Sequence, residues 1–420
     1  MSKAIMRILC QNITIVCLVC AGLVMASAHV DAADITVDAK CNLADAIRSA
    51  NWDTEVRECR AGSGPDTIHL TEHVTLTKSL PPIQSQVTIE GDGHPVSGDN
   101  QFRIFYVMQG GLLTINRLTV IDAYAEFGGA IVIDKWTVAT INASVFAGNR
   151  AGGGDLSYGG AIYVGEGGTL DVNSSRFIDN SALYGGAIYN DGYSGIQAST
   201  FTGNVATGEE YSAGGAVVNR GDSDIFYSTF EDNLAVSYAG AISNFGDLSI
   251  IGGKFSGNRA GSAGALANSG DVGIVDAEFL NNSATALDGG AIYNSSGTIL
   301  MFNSTISGNS ATRVGGGMLV RDGSVTADGM TIDNNTSEHG GGLYVYADTD
   351  ILGRLKLRNS HVANNSGGDC IVDGVLMENL NNTIQDGGCI ERPQAILALE
   401  ALVDRLITAF DTQAGETGDT

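Results

Sequence analysis

Along the middle of the chain, apolar residues come in short runs that alternate with polar ones and stop at Gly, Asn or Asp. One representative stretch runs Gly186-Ala187-Ile188-Tyr189-Asn190, turns at Asp191-Gly192, continues from Ser194 to Phe201 and turns again at Thr202-Gly203-Asn204. Short runs bounded by turn residues predict strands, not helices. The pattern returns. Gly-Gly-Ala followed by an aliphatic residue stands at Gly128 to Ile131, Gly159 to Ile162, Gly185 to Ile188, Gly214 to Val217 and Gly289 to Ile292, with looser copies at Ala239 to Ile242 and Ala263 to Leu266. Phe-x-x-Asn falls between them at Phe146/Asn149, Phe177/Asn180, Phe201/Asn204, Phe230/Asn233, Phe255/Asn258 and Phe279/Asn282. An aliphatic replaces Phe at Ile306/Asn309, Ile332/Asn335 and Val362/Asn365. Successive anchors lie 24 to 31 residues apart. That spacing is too long for the shortest β-solenoid coils, and the repeat is too poor in helical periodicity for leucine-rich or ankyrin units.

No single unit can bury its own core, so the units must stack. Rung on rung, the strands form parallel sheets, and Ile162, Ile188, Val217, Ile242, Leu266, Ile292 and Leu319 make one continuous interior column. The phenylalanines make a second, since a spacing of about 4.8 Å between strands suits offset ring stacking. Asn190, Asn219, Asn244, Asn268 and Asn294 lie two residues beyond the aliphatic column, on the same strand face, where their amides can form a hydrogen-bonded ladder. The expected fold is all-β: a right-handed parallel β-helix of about ten rungs, the hand following the general crossover rule.

Composition narrows the function. A net charge of −25, with 57 Gly and only 5 Pro in 420 residues, argues against nucleic acid as a partner and against a disordered Gly/Pro-rich tract. Lys3 and Arg7 precede an apolar stretch from Ile8 to Ala26 and a run of small residues, the layout of a secretory signal peptide over residues 1–33. Cys10, Cys17 and Cys20 would leave with it. Four cysteines remain, Cys41, Cys59, Cys370 and Cys389, a pair at each end of the repeats. In an exported chain the local pairings Cys41 with Cys59 and Cys370 with Cys389 are favoured, although four cysteines allow three connectivities.

The domains expected are an N-terminal cap with first strands at 34–100, β-helix repeats at 101–370 and a disulfide-stapled cap at 371–392. An amphipathic helix at 393–411 and a disordered tail at 412–420 follow. Within Ile35 to Asn51 a short helix would place Leu43, Ala46, Ile47 and Ala50 on one face. The C-terminal helix, opened by Pro393, would cover the last rung or serve self-association.

The alternation of Gly-Gly-Ala-Ile with Phe-x-x-Asn resembles the repeat of the polymorphic outer-membrane proteins of chlamydiae, surface adhesins with β-helical passenger domains. The stretch Cys41-Asn42-Leu43-Ala44-Asp45-Ala46-Ile47-Arg48-Ser49-Ala50-Asn51, with Cys59 to Gly62 and Asp66 to Leu70, resembles the CSLREA segment found ahead of bacterial β-helices. Ala44 and Asp45 depart from that motif. The resemblances imply an exported or cell-surface bacterial β-helix. The residues after the last repeat read as a helix, not amphipathic strands, so no autotransporter barrel and no integral membrane domain is expected of the mature chain.

Parallel β-helices also carry polysaccharide lyases and hydrolases, so the carboxylates need inspection. Asp191, Asp222, Asp247, Asp271 and Asp322 form one loose column and Asp179, Asp232 and Asp333 another, both at turn signals where Asp is favoured for local hydrogen bonding. No catalytic residues emerge from their spacing. Calcium is the one cofactor these columns suggest. His69 and His73, with Glu72 between, are too few for a metal site.

The strongest binding candidate is aromatic. Phe127, Tyr158, Tyr184 and Tyr238 each stand just before a small pair, with Tyr211 close by, which predicts a stripe at one corner over five rungs. Such a stripe can stack on sugars or anchor a protein, or simply cover the interior. The leading expectation is a non-enzymatic β-helix acting in adhesion, with a polysaccharide or a cell-surface protein as partner. The alternative is a polysaccharide lyase or glycoside hydrolase.

Overall fold

A computed structural model describes residues 32–389 apart from 155, 209–211 and 349–350. The signal segment up to residue 31, Tyr211, the 393–411 helix and the tail lie outside the described residues. Within them the chain winds as a parallel β-solenoid whose coils each contribute up to four strands. The coil after Gly186 shows the plan: Ile188–Asn190, Tyr193–Gln197, Thr200–Thr202 and Val205–Ala206. Each strand joins its counterpart in the next coil, giving parallel sheets of 14, 11, 13 and 8 strands. The longest, formed by the five-residue strands, starts at Asp34–Val37 and ends at Val375–Leu380. The solenoid therefore has more turns than the ten rungs the motifs predict, because coils such as those of Val96 and Val120 keep the register without a Phe.

The segment from Ser194 to Phe201, expected as one run, is broken. Ala198 adopts φ +48° and turns the chain from the long sheet into the phenylalanine sheet. A left-handed residue other than Gly costs roughly 1–2 kcal/mol, and the corner serine offsets it. The Ser175 N–H donates to Ser199 Oγ at 3.1 Å, and Ser199 Oγ donates to the Gln197 carbonyl at 2.8 Å. Ser144, Ser175 and Ser228 repeat the arrangement at their own corners.

The aliphatic column runs in register from Ile131 through Ile162, Ile188, Val217, Ile242, Leu266 and Ile292, and continues with Met318. Leu319, expected there, pairs with Tyr293 on the outer side. The Gly315-Gly316-Gly317 corner supplies Gly317 in place of the Ala, so Met318 is the inward residue. Phe146, Phe177, Phe201, Phe230, Phe255 and Phe279 stack with ring centroids 4.7 to 5.1 Å apart and planes within 10°.

Asn190, Asn219, Asn244, Asn268 and Asn294 face inward; the first four amide nitrogens each donate to the next amide oxygen at 2.8 to 2.9 Å, and Asn294 donates to the Asp322 carbonyl at 3.0 Å. A second and longer ladder comes from the Phe-x-x-Asn residues, from Asn149 to Asn365. Asn233 is typical: its oxygen accepts from the Asn204 backbone and side-chain N–H groups, and its nitrogen donates to the Phe201 carbonyl and Asn258 Oδ1, all at 2.9 to 3.0 Å.

The Gly pair of the repeat has two different duties. Gly185 takes φ +66°, whereas a Cβ on Gly186 would lie 2.1 Å from the Gly215 carbonyl of the next coil. In the looser copies Ala239 and Ala263 accept the positive φ, while Gly240 and Gly264 keep the close approach.

At the N-terminal end the helix Leu43–Trp52 packs Leu43, Ala46, Ile47 and Ala50 into the core and is capped by Asn42, whose side chain accepts from the Asp45 N–H. Asp45 in turn holds Arg48 and Arg57 at 2.6 and 3.1 Å. The cysteines pair locally, Cys41 with Cys59 and Cys370 with Cys389, close to the first and last coils. No helix among the described residues is long and apolar enough to cross a membrane.

Replacing Asn233 by Ala removes four hydrogen bonds from a site without solvent access and should cost about 2–4 kcal/mol. Asn142→Ala, in the partly exposed ladder of Asn116, Asn142 and Asn173, should cost no more than about 0.5 kcal/mol. Urea midpoints of the two variants test this. Equal losses would mean that the inner ladder does not hold the coils together.

Candidate functional site

The corner before the Gly pair is built by isolated parallel bridges that link Phe127, Tyr158, Tyr184, Ala213, Tyr238 and Ser262 in order. Three consecutive rungs are therefore aromatic, and Ala213 then separates Tyr184 from Tyr238. The register places Ala213 in this column, while Tyr211, expected close to the same corner, lies outside the described residues. Phe127 and Tyr158 stack at 5.4 Å and 13°, Tyr158 and Tyr184 at 5.5 Å and 28°. All three are half-buried, and Tyr238 is 43% exposed.

A second aromatic column, missed in the sequence, supports the first. Tyr163 and Tyr189 follow the inward Ile of their strands, and period two turns them outward, where they stack at 5.7 Å. Tyr158 meets Tyr189 at 4.6 Å and 45°, so the two columns interlock. The dipeptide Ile-Tyr in the repeat was the available signal. These tyrosines have ordered hydroxyls. Tyr163 donates to Asp191 Oδ2 at 3.1 Å, as Tyr106 does to Asp134 at 3.0 Å and Tyr344 does to Asp373. Tyr189 instead accepts from Arg220 at 3.1 Å, and Tyr293 from Arg321 at 3.2 Å. Burial first, and then the Asp191 carboxylate, raise the Tyr163 pKa well above the ordinary tyrosine value.

Of the expected aspartate column, Asp222, Asp247 and Asp271 stack in register at the start of the long-sheet strands. Asp191 is drawn away as the Tyr163 partner, and Asp322 precedes its strand, Ser324–Asp328, by two residues. The second column is also corrected. The left-handed turn position is held by Asp179, Asp232, Asn281 and Asn334, whereas Asp333 lies inside a strand. Asp and Gly alternate there because the Asp side chain fills the space over the following Gly: a Cβ on Gly257 would meet Asp232 Oδ1 at 2.3 Å. His69 contacts Asp34 at 3.2 Å and His73 contacts Thr75 at 3.1 Å, so the histidines do not converge. Among the described residues no group of three His, Cys, Asp or Glu is gathered to hold a metal ion.

Two arrangements on the outer face of the long sheet had no clear sequence signal. Asp171 and Asp224 occupy the same column on either side of Gly195, where a Cβ would meet Asp171 Oδ1 at 2.9 Å. Tyr193 crosses that glycine and donates to Asp224 Oδ2 at 3.0 Å. Asp224 is buried, its Oδ1 has no hydrogen-bond partner, and burial raises the Asp171 pKa above the usual carboxylate value. Further along, a recess of about 370 Å³ is lined by Thr298, Ser324, Thr326, Arg354, Lys356 and Met377 together with corner glycines. The alternation Arg354-x-Lys356-x-Arg358 in so acidic a chain was its one visible trace.

A raised folded-state pKa at Tyr163 adds stability that is complete below about pH 10, the unfolded value, and is lost as pH climbs through the folded value. Between about pH 9 and pH 11.5 the native protein should lose more stability than Tyr163→Phe does, as read from urea midpoints at each pH. An equal loss would show that this hydroxyl ionises no differently in the folded and unfolded chains.

Residues 276–295 match the family model of the Chlamydia polymorphic membrane protein repeat. The match spans one Phe279/Asn282 motif and the Gly289 to Ile292 motif that follows it. No curated protein matches the chain. The protein is a parallel β-helix carrying a repeat of the Chlamydia polymorphic membrane protein kind.

Proposed function

We propose that this chain acts outside the cell, at a bacterial surface, as an adhesive β-helix that binds carbohydrate or a cell-surface partner. The observation that carries this reading is the in-register column Phe127, Tyr158 and Tyr184, whose partly exposed rings are braced from behind by Tyr163 and Tyr189. The rings cover one another's faces at 5.4 to 5.5 Å, so their edges form a rigid apolar strip that a ligand can contact at little conformational cost. The repeat match supports a surface setting, and the two disulfides fit an oxidising compartment.

A second reading, glycoside cleavage, is favoured by Asp171 and Asp224 around Gly195. A carboxyl group held protonated to higher pH beside another carboxylate is the arrangement that acid-assisted hydrolysis requires. Released oligosaccharides that disappear in Asp171→Asn would establish it.

The decisive experiment is a glycan array and polysaccharide panel, with product detection by mass spectrometry. Tyr158→Ser combined with Tyr184→Ser should abolish retention of bound glycan while leaving the circular dichroism spectrum intact. Unchanged retention would remove the corner as the contact face, and loss of the fold would reduce the aromatic column to a cover for the interior.

A further inference from the structure

We propose that the recess around Arg354, Lys356 and Met377 is a second binding site, specific for an anionic sugar residue, a uronate or sulfated unit. This goes beyond the aromatic corner and does not depend on it.

Charge is the first argument. The chain has 47 acidic residues against 22 Lys and Arg, yet the strand Arg354–Arg358 places three cations on one face through its period-two alternation. Arg358 is committed to Glu378. Among the described residues Arg354 and Lys356 have no carboxylate within ion-pair distance, and both line the recess. Lys356 stands across from Glu378 and shares that one carboxylate with Arg358, so three cations are set against a single acid and leave a charge that a ligand can neutralise.

The floor is the second. In the register of the long sheet, Thr298 and Ser324 precede Arg354 in one column, and Thr326 precedes Lys356 in the next. Hydroxyls on successive rungs lead up to the cations, so a ligand with an acid group at one end and hydroxyls at the other is matched along its length. The corner residues Gly297 and Gly323 add no side chain to the rim.

The wall is the third. The last strand of the sheet, Val375–Leu380, is one residue longer than its partner. Leu355 faces Leu376 and Lys356 faces Glu378, which leaves Met377 as the inserted residue of a β-bulge. Bulges re-aim side chains and gather beside functional sites. Met377 is 50% exposed and closes one side of the recess with a flexible thioether, suited to the C–H face of a sugar ring.

The neighbouring acids set the ligand's size. One rung before Thr298 the same column carries Asp271, preceded by Asp247 and Asp222. A long polyanion laid along the solenoid axis would meet these carboxylates and be repelled. A volume of about 370 Å³ suits one or two sugar residues. A single acidic unit therefore fits better than nucleic acid or an extended polyanion.

The test uses the full chain with three probes in titration calorimetry: a heparin-derived disaccharide, digalacturonate and neutral maltotriose. At least one anionic probe should bind. That binding should weaken roughly tenfold or more in Arg354→Ser/Lys356→Ser and several-fold, about three to ten, on raising salt from about 50 to 300 mM. It should persist in Arg354→Lys/Lys356→Arg and in Tyr158→Ser/Tyr184→Ser. The proposal is overturned if neither anionic probe binds the native chain more tightly than maltotriose. It is equally overturned if the serine double variant binds as the native chain does. Loss of neutral-glycan retention in the tyrosine variant alone reports on the aromatic corner, so the two readings fail separately.

Discussion

Everything in this molecule follows from the requirement that identical positions of successive coils lie one strand spacing apart. Parallel pairing fixes that spacing at about 4.8 Å, and it decides which residues can repeat. A ring, a branched aliphatic or a carboxamide stacks favourably on its own kind at this distance. Phe230 lies 4.8 Å from Phe201 and 4.9 Å from Phe255 with planes nearly parallel. Carboxamides serve best in the interior because each combines a donor and an acceptor. Asn233 thereby satisfies itself, its neighbours and a backbone carbonyl without water.

The same constraint shapes the outer surface, where side chains are free of the core but not of the register. Aromatic residues form columns whether or not a ligand requires them, and the interlocking of Tyr158 with Tyr189 makes the corner stiff. Charges obey the opposite rule. Asp222, Asp247 and Asp271 stand directly over one another, an arrangement in which like charges repel. The column changes character at Thr298 and Ser324 and turns cationic at Arg354, before Val375 closes it. A gradient of charge along one face is thus a property of the column, visible only when the coils are aligned.

This explains how far the sequence could be read. Gly-Gly-Ala-Ile and Phe-x-x-Asn announce the coil because each marks a position whose environment repeats without change. The column of Ile162 to Ile292 is correct for that reason. It fails at Leu319, where Gly317 replaces Ala and the adjacent Met318 takes the inward place. The break at Ala198 was hidden because Ala carries no turn preference, and the corner depends on Ser199. At the surface the reading was weaker still. Motif spacing does not say that Ala213 stands between Tyr184 and Tyr238, since loop lengths before that corner vary. The recess depends on an inserted residue at Met377, and the pairing that makes it an insertion joins strands about twenty residues apart.

The asparagine ladders have one more consequence. Every amide from Asn149 onward donates toward the C-terminal coil, and the last, Asn365, donates to the Asp369 carboxylate. The stack is therefore a wire of aligned dipoles with a head and a tail, started by the Ala123 N–H and finished at the Asp369 side chain. The ladder begins only after the coils of Val96 and Val120 and finishes beside the last coil, so the buried column runs one way along the axis, from a backbone donor inside the solenoid to a carboxylate at its far end.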